Sequence, residues 1–163
     1  RQFKVHAQIA QAYGNYKVSV HSGSDKFAVY PTIGRETSGY LHLKTAGTSW
    51  LGAVTVIAQC DPALYRDMHR CALANFNDML KLYHITADIN RIPKLETLSD
   101  AELPKLMEMP EARQLLHITY GPILRSELRE RFFTTLHREE EAYTAAIEKH
   151  FDKHLSLLGL PRR

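Results

Sequence analysis

Two stretches near the start of the chain share one grammar, and it limits the fold more than any other feature. Residues 16–21 (YKVSVH) alternate strictly, so Tyr16, Val18 and Val20 lie on one side of a strand and Lys17, Ser19 and His21 on the other. They run into residues 22–25 (SGSD), a polar turn able to cap a helix that begins near Lys26 and Phe27. Residues 40–44 (YLHLK) repeat the pattern after Gly39, pass through residues 45–49 (TAGTS) and enter an apolar run over 50–58. Strands separated by helices pair in parallel, so the expected class is α/β.

The rest of the chain is read in the same way. Phe3, Ile9 and Ala12 fit the last turns of a helix that Gly14 and Asn15 end. Asp61-Pro62 is an N-cap followed by proline at the first helical position. Leu64, Met68, Cys71, Ala72, Phe76, Met79, Leu80 and Tyr83 then recur at helical steps. Residues 83–88 (YHITAD) are a candidate third strand, Ile92-Pro93 forces a turn, and Ser99 with Glu102 forms a capping box for a short helix. Leu128, Phe132, Leu136, Tyr143, Ile147, Phe151 and Leu155 predict one long C-terminal helix, with Glu139 to Glu141 outward and Gly159 and Pro161 at its end. The expectation is a single domain over residues 1–163 with two to three strand-helix units and that long helix. An eight-unit barrel takes about 250 residues. A chain of 163 residues therefore holds part of a barrel or a small open sheet.

Composition removes whole classes of function. Charged residues or histidine interrupt every window of the roughly 20 apolar residues that a spanning helix needs, so no membrane partner is expected. The 21 Lys+Arg and 18 Asp+Glu are interleaved and leave a formal +3 with no basic stripe, which argues against nucleic acid. Cys60 and Cys71 match no ligand spacing and fall in helical stretches, so buried thiols in a reducing compartment, the cytoplasm, are expected. Arg1 is not a start methionine, and the chain opens in the middle of a helical pattern without an apolar signal core. A fragment or a processed chain is expected.

In parallel α/β sheets, ligands collect at the carboxyl ends of strands. One such end carries His21, Ser22, Gly23, Ser24, Asp25 and Lys26, which form either a site or a capped turn with solvated charges. His21 shares the face of Lys17 and Ser19, directed to a polar interior, and is either a metal ligand or a hydrogen-bonded structural residue. The other end carries Lys44, Thr45, Ala46 and Gly47 before Thr48 and Ser49, which form either an anion site or a hydroxyl cap. TAGTS matches neither the phosphate-loop nor the dinucleotide fingerprint. His42 and Lys44 share a strand face, which is more than a cap requires. Asp88 is equally a sugar-hydroxyl ligand or a turn cap. His117 reads as a satisfied core histidine, and His137, His150 and His154 read as solvated on the last helix. Nothing resembles a nucleophile elbow or a Ser/His/Asp order.

HSGSDKFAVYP (21–31), LHLKTAGTSWLGAV (41–54), DPALYRDMH (61–69), HITADINRIP (84–93) and ARQLLHITYG (112–121) resemble successive blocks of the tagaturonate epimerase family, over about residues 16–158. The resemblance implies a modified β/α (TIM-like) barrel of which this chain is the C-terminal third. It implies metal-dependent epimerisation of a ketohexuronate, interconverting tagaturonate and fructuronate. A divalent metal cation is the implied cofactor, and His21 matches a histidine that ligates it. The remaining ligands and the acid and base residues belong to the part of the family's chain that lies outside this one. For a hexuronate substrate, Ser22, Gly23, Asp25, Lys26, Lys44, Thr45, Ala46 and Gly47 are suited by their own chemistry to a carboxylate and hydroxyls. The stretch 122–128 is shorter than the family pattern, so the route into the final helix is expected to differ. Inverting a carbon whose hydrogen is not acidic calls for a metal that stabilises an enolate or alkoxide, from a site of several ligands. One histidine does not make such a site, so the chain alone is expected to bind metal weakly and not to turn over. Two other expectations stand beside this one. The first is a fragment of a sugar-phosphate aldolase or isomerase barrel. The second is a non-catalytic split or truncated relative, completed by an N-terminal chain or by a homo-oligomer.

Overall fold

Strand β1 (Val18–His21) pairs in parallel with β2 (Leu41–Lys44), with Val18 opposite Leu41, Ser19 opposite His42, Val20 opposite Leu43 and His21 opposite Lys44. Both strands alternate between half-buried and exposed positions, so each uses its period of two to put aliphatics on one face and polar groups on the other. The computed structural model describes residues 2–14, 16–21, 27–44 and 48–160, and it divides into two units. The sheet belongs to the first, made by the chain up to Thr48 together with the chain from Ile147 onward.

In this unit α1 (Gln2–Ala12) precedes β1 and stops at Gly14, whose φ of +83° a side chain would disfavour. A 3-10 turn (Phe27–Val29) leads into α2 (Tyr30–Thr37), which carries proline in its first turn. The helix ends through Ser38 and Gly39, both at positive φ, with the Gly39 N–H donating to the Gly34 carbonyl at 3.1 Å. Tyr30, Ile33 and Leu158 form the buried centre, and Phe3, Val20, Phe27, Leu41 and Leu43 pack against it. Gly34 is where α2 meets the backbone of Leu158, a contact with no room for a Cβ.

The second unit, Ser49–Ala146, is helical. Helices α3 (Thr48–Cys60) and α4 (Pro62–Met79) are followed by α5 (Leu103–Leu106), α6 (Pro110–Ile118), α7 (Tyr120–Arg125) and α8 (Leu128–Arg138), and α9 (Glu140–Leu157) begins here. Its core joins Val54 and Ile57 of α3, Leu64, Tyr65, Met68 and Ala72 of α4, and Leu103, Leu115, Leu116, Ile123 and Phe132 of the later helices. Trp50 stacks on Phe132 at 5.1 Å and donates its Nε1–H to the Leu116 carbonyl at 2.9 Å, so its polar end is satisfied. The α4 cap is as expected: Asp61 Oδ1 accepts from the Leu64 N–H at 3.0 Å. The capping box of Ser99 and Glu102 is formed as well, ahead of α5.

Four expectations need correction. Residues 83–88 make no strand; they run without regular structure into a 3-10 turn (Ile89–Arg91) that Asp88 caps by accepting the Asn90 N–H at 3.0 Å. The single long C-terminal helix is two helices, because Glu139 leaves helical geometry at φ −105° and ψ 32°. The inner side of α9 steps by about 3.6 residues through Tyr143, Ile147, His150 and His154, and the expected series at steps of four drifts off it: Phe151 and Leu155 are exposed, while His154 is 1% exposed and packs against Phe27 and Tyr30 with ring centroids 4.9 and 5.4 Å away. His154 is therefore not solvated, whereas His137 is exposed as expected. Cys60 is exposed at the end of α3 and Cys71 is half-buried, so the thiols are free but not buried in the core. No helix among the described residues is long and apolar enough to cross a membrane.

Candidate functional site

Parallel register and strand alternation together build one polar face. Ser19 and His21 project from β1, and His42 and Lys44 from β2, all on the exposed side of the sheet. Because Ser19 lies directly opposite His42, its Oγ sits 2.7 Å from His42 Nδ1. Because His21 is two residues further along the same face, its Nε2 reaches back to the same Oγ at 3.0 Å. The two imidazole rings lie 5.9 Å apart and are tilted by 59°. Lys17 and Tyr40, one step before each strand, continue the face, and the Lys17 ammonium stands 5.0 Å from the centre of the Tyr40 ring. A groove of about 500 Å³ runs along β1 and is lined by Phe3, His6 and Ile9 of α1 and by Lys17, Ser19 and His21.

The structure brings His21 and Lys44 together as register partners at the carboxyl ends of the two strands, the place where parallel sheets bind ligands. Ser22, Gly23, Asp25, Lys26, Thr45, Ala46 and Gly47 lie outside the described residues. His21 is exposed in this chain. Asp88 and His117 belong to the helical unit: Asp88 caps its turn, and His117 is half-buried with a pKa lowered by burial and by the Arg113 charge.

The sequence pattern showed Ser19, His21, His42 and Lys44 on strand faces but not the hydroxyl bridge between the two histidines. That bridge depends on register, which neither strand carries by itself. As a chemical unit the face offers two imidazoles, a hydroxyl and two ammonium groups, a set suited to a carboxylate or hydroxyl-rich anion and able to give one nitrogen ligand to a metal. Among the described residues no group of three or more His, Cys, Asp or Glu side chains could hold a metal ion.

A model of the tagaturonate epimerase family matches residues 1–158 of the chain. The chain belongs to that family. The tagaturonate/fructuronate epimerase of Thermotoga maritima is 46% identical over 159 residues, a span covering 97% of this chain and 33% of that protein. The native crystal structure of the fructuronate-tagaturonate epimerase UxaE of Cohnella laeviribosi aligns with a TM-score of 0.93 at 49% identity, covering 98% of this chain and 34% of that one. A glycerol complex of the same enzyme aligns with the same score and coverage. This epimerase-family chain thus spans about a third of the length of the relatives it matches, and its strand pair and helical unit are the family's own architecture over that third.

Proposed function

We propose that this chain forms the C-terminal part of a metal-dependent hexuronate epimerase that interconverts tagaturonate and fructuronate. The observation that carries the proposal is the match to the family along residues 1–158 combined with the polar strand ends on which His21 and Lys44 meet. The sheet supports a place in a larger β/α barrel. Parallel strands are normally covered on both faces and joined by further strands, whereas among the described residues this sheet has two strands and one exposed face.

His21 fits the role of one metal ligand. Its ring is exposed at a strand end, and its bond to Ser19 uses Nε2, which leaves Nδ1 as the nitrogen for a second partner. A bound divalent cation would supply stabilisation of the negative charge that develops on substrate oxygen during inversion. Lys44, opposite His21, holds an ammonium where a hexuronate carboxylate can pair with it. Ser22, Gly23, Asp25, Lys26, Thr45, Ala46 and Gly47 complete the proposed substrate contacts through hydroxyls, backbone N–H groups and charge. The remaining ligands and the acid and base groups come from outside this chain.

The test is ligand-detected NMR with tagaturonate and, in parallel, a hexose phosphate. Saturation transfer to tagaturonate that weakens in Lys44→Ala is the expected result. Transfer to the hexose phosphate alone would overturn the assignment of substrate class.

A further inference from the structure

The polar face of the sheet is cationic and carries no counter-charge of its own. Residues 16–21 and 40–44 include Lys17, His21, His42 and Lys44 but no Asp or Glu. The Lys17 ammonium is engaged over the Tyr40 ring, which leaves Lys44, exposed at the carboxyl end of β2, as the anchor for an anion.

Register orders this face into levels. His21 stands opposite Lys44 at the carboxyl ends of the strands, and Ser19 stands opposite His42 one level toward the amino ends. Two residues of strand separate the levels, a distance of about 6.6 Å. A six-carbon acid has five skeletal bonds, one fewer than two extended residues, so laid along the strands it spans about one level. With its carboxylate on Lys44, its far hydroxyls therefore come to Ser19 and His42. That second level is built to meet a hydroxyl. Ser19 Oγ is 2.7 Å from His42 Nδ1 and 3.0 Å from His21 Nε2, so one nitrogen of each ring is used within the face. His42 keeps Nε2 for a ligand, on an exposed residue. A sugar hydroxyl can donate or accept, so this nitrogen binds it in either tautomer.

We propose that the face is a length gauge for a six-carbon sugar acid. Lys44 takes the carboxylate, His42 contacts a hydroxyl at the far end through Nε2, and Ser19 positions the His42 ring. The proposal rests on the reading of Lys44 as the carboxylate partner, and the experiment separates the two. Dissociation constants for tagaturonate and for glycolate, a two-carbon hydroxy acid that reaches only the Lys44 level, are measured by ligand-detected NMR with EDTA present, so that a metal takes no part. The parent should bind tagaturonate more tightly than glycolate, and Lys44→Ala should weaken both. His42→Phe and Ser19→Ala should weaken tagaturonate by about three- to tenfold and leave glycolate unchanged, which also shows that the variants are folded. Ser19→Thr, which keeps the hydroxyl, and His42→Gln, whose amide offers a donor and an acceptor, should keep most of the preference. In the ¹⁵N-labelled parent, tagaturonate and not glycolate should shift the His42 Nε2 resonance, a readout that needs no variant.

A parent that binds both acids alike, tagaturonate affinity unchanged in His42→Phe and Ser19→Ala, or a His42 Nε2 resonance that tagaturonate does not move would overturn the gauge while Lys44 keeps its carboxylate. Binding of both acids that survives Lys44→Ala, or no binding of either acid to the parent, would overturn the carboxylate assignment and the gauge with it.

Discussion

Inside the helical unit His69 is 1% exposed, its Nδ1 has no hydrogen-bond partner, and burial holds its pKa down to about 4 against an ordinary 6.5. The Glu96 charge works in the opposite direction and is the smaller effect. A folded-state value below the unfolded one means that the unfolded chain binds the proton more readily. The native state therefore keeps its full stability above about pH 6.5 and loses it as pH falls toward 4, by about 3 kcal/mol from this group. Urea midpoints measured between pH 7 and 4 should fall steeply, and His69→Leu should flatten that slope. An equal slope in the variant would show that other groups carry it. His69 and His154 also mark a limit of the sequence at this scale. Apolar spacing found the stripes beside them, but an imidazole suits core and surface alike, and only tertiary packing decides which.

At the scale of elements, Arg66 on α4 organises the irregular segment after residue 90. Its Nη1 donates to the Leu95 carbonyl at 2.6 Å, one Nη2–H to the Leu98 carbonyl at 2.7 Å, and the same nitrogen pairs with Asp100 Oδ1 at 2.8 Å. Arg66→Met should cost about 2 kcal/mol, since hydrogen bonds from a charged donor are the stronger kind. Arg66→Lys should recover only part of it, because an ammonium cannot span the guanidinium's fork. Equal urea midpoints for the lysine variant and the parent would contradict this. In the first unit, Gly34→Ala would drive a Cβ into the backbone carbonyl of Leu158. A loss of about 2 kcal/mol is expected, with amides near residues 157–160 losing hydrogen-exchange protection. Unchanged protection there would show that the close approach is not needed.

The same elements show what was legible. Strand alternation, the Asp61 cap and the Ser99–Glu102 box are local signals, and they placed β1, β2, α4 and the start of α5. The break at Glu139 was not legible, because apolar residues continue at helical spacing across it and glutamate is itself a good helix former. Residues 83–88 have a strand-like composition but, among the described residues, no strand to pair with, and Asp88 spends its carboxylate on a turn.

Considering the whole molecule, two parallel strands do not close a barrel, and one histidine does not make a metal site. The chain matches about a third of the relatives' length, and no cluster of three metal-binding side chains occurs among its described residues. Both facts fit a chain that contributes its strand ends to a site completed by other residues. The resemblance rests most on HSGSDK and KTAGTSW, the two segments that follow the strands in the sequence, rather than on any general α/β pattern. The decisive measurement is tagaturonate-to-fructuronate conversion, followed by NMR with metal content from elemental analysis. It is made on the chain alone and on a chimera in which the chain replaces the matching segment of the Thermotoga maritima relative. The account predicts no turnover and little metal for the chain alone, turnover with bound metal for the chimera, and loss of both in the chimera carrying His21→Ala. Turnover by the chain alone, or a His21→Ala chimera that keeps metal and activity, would contradict it.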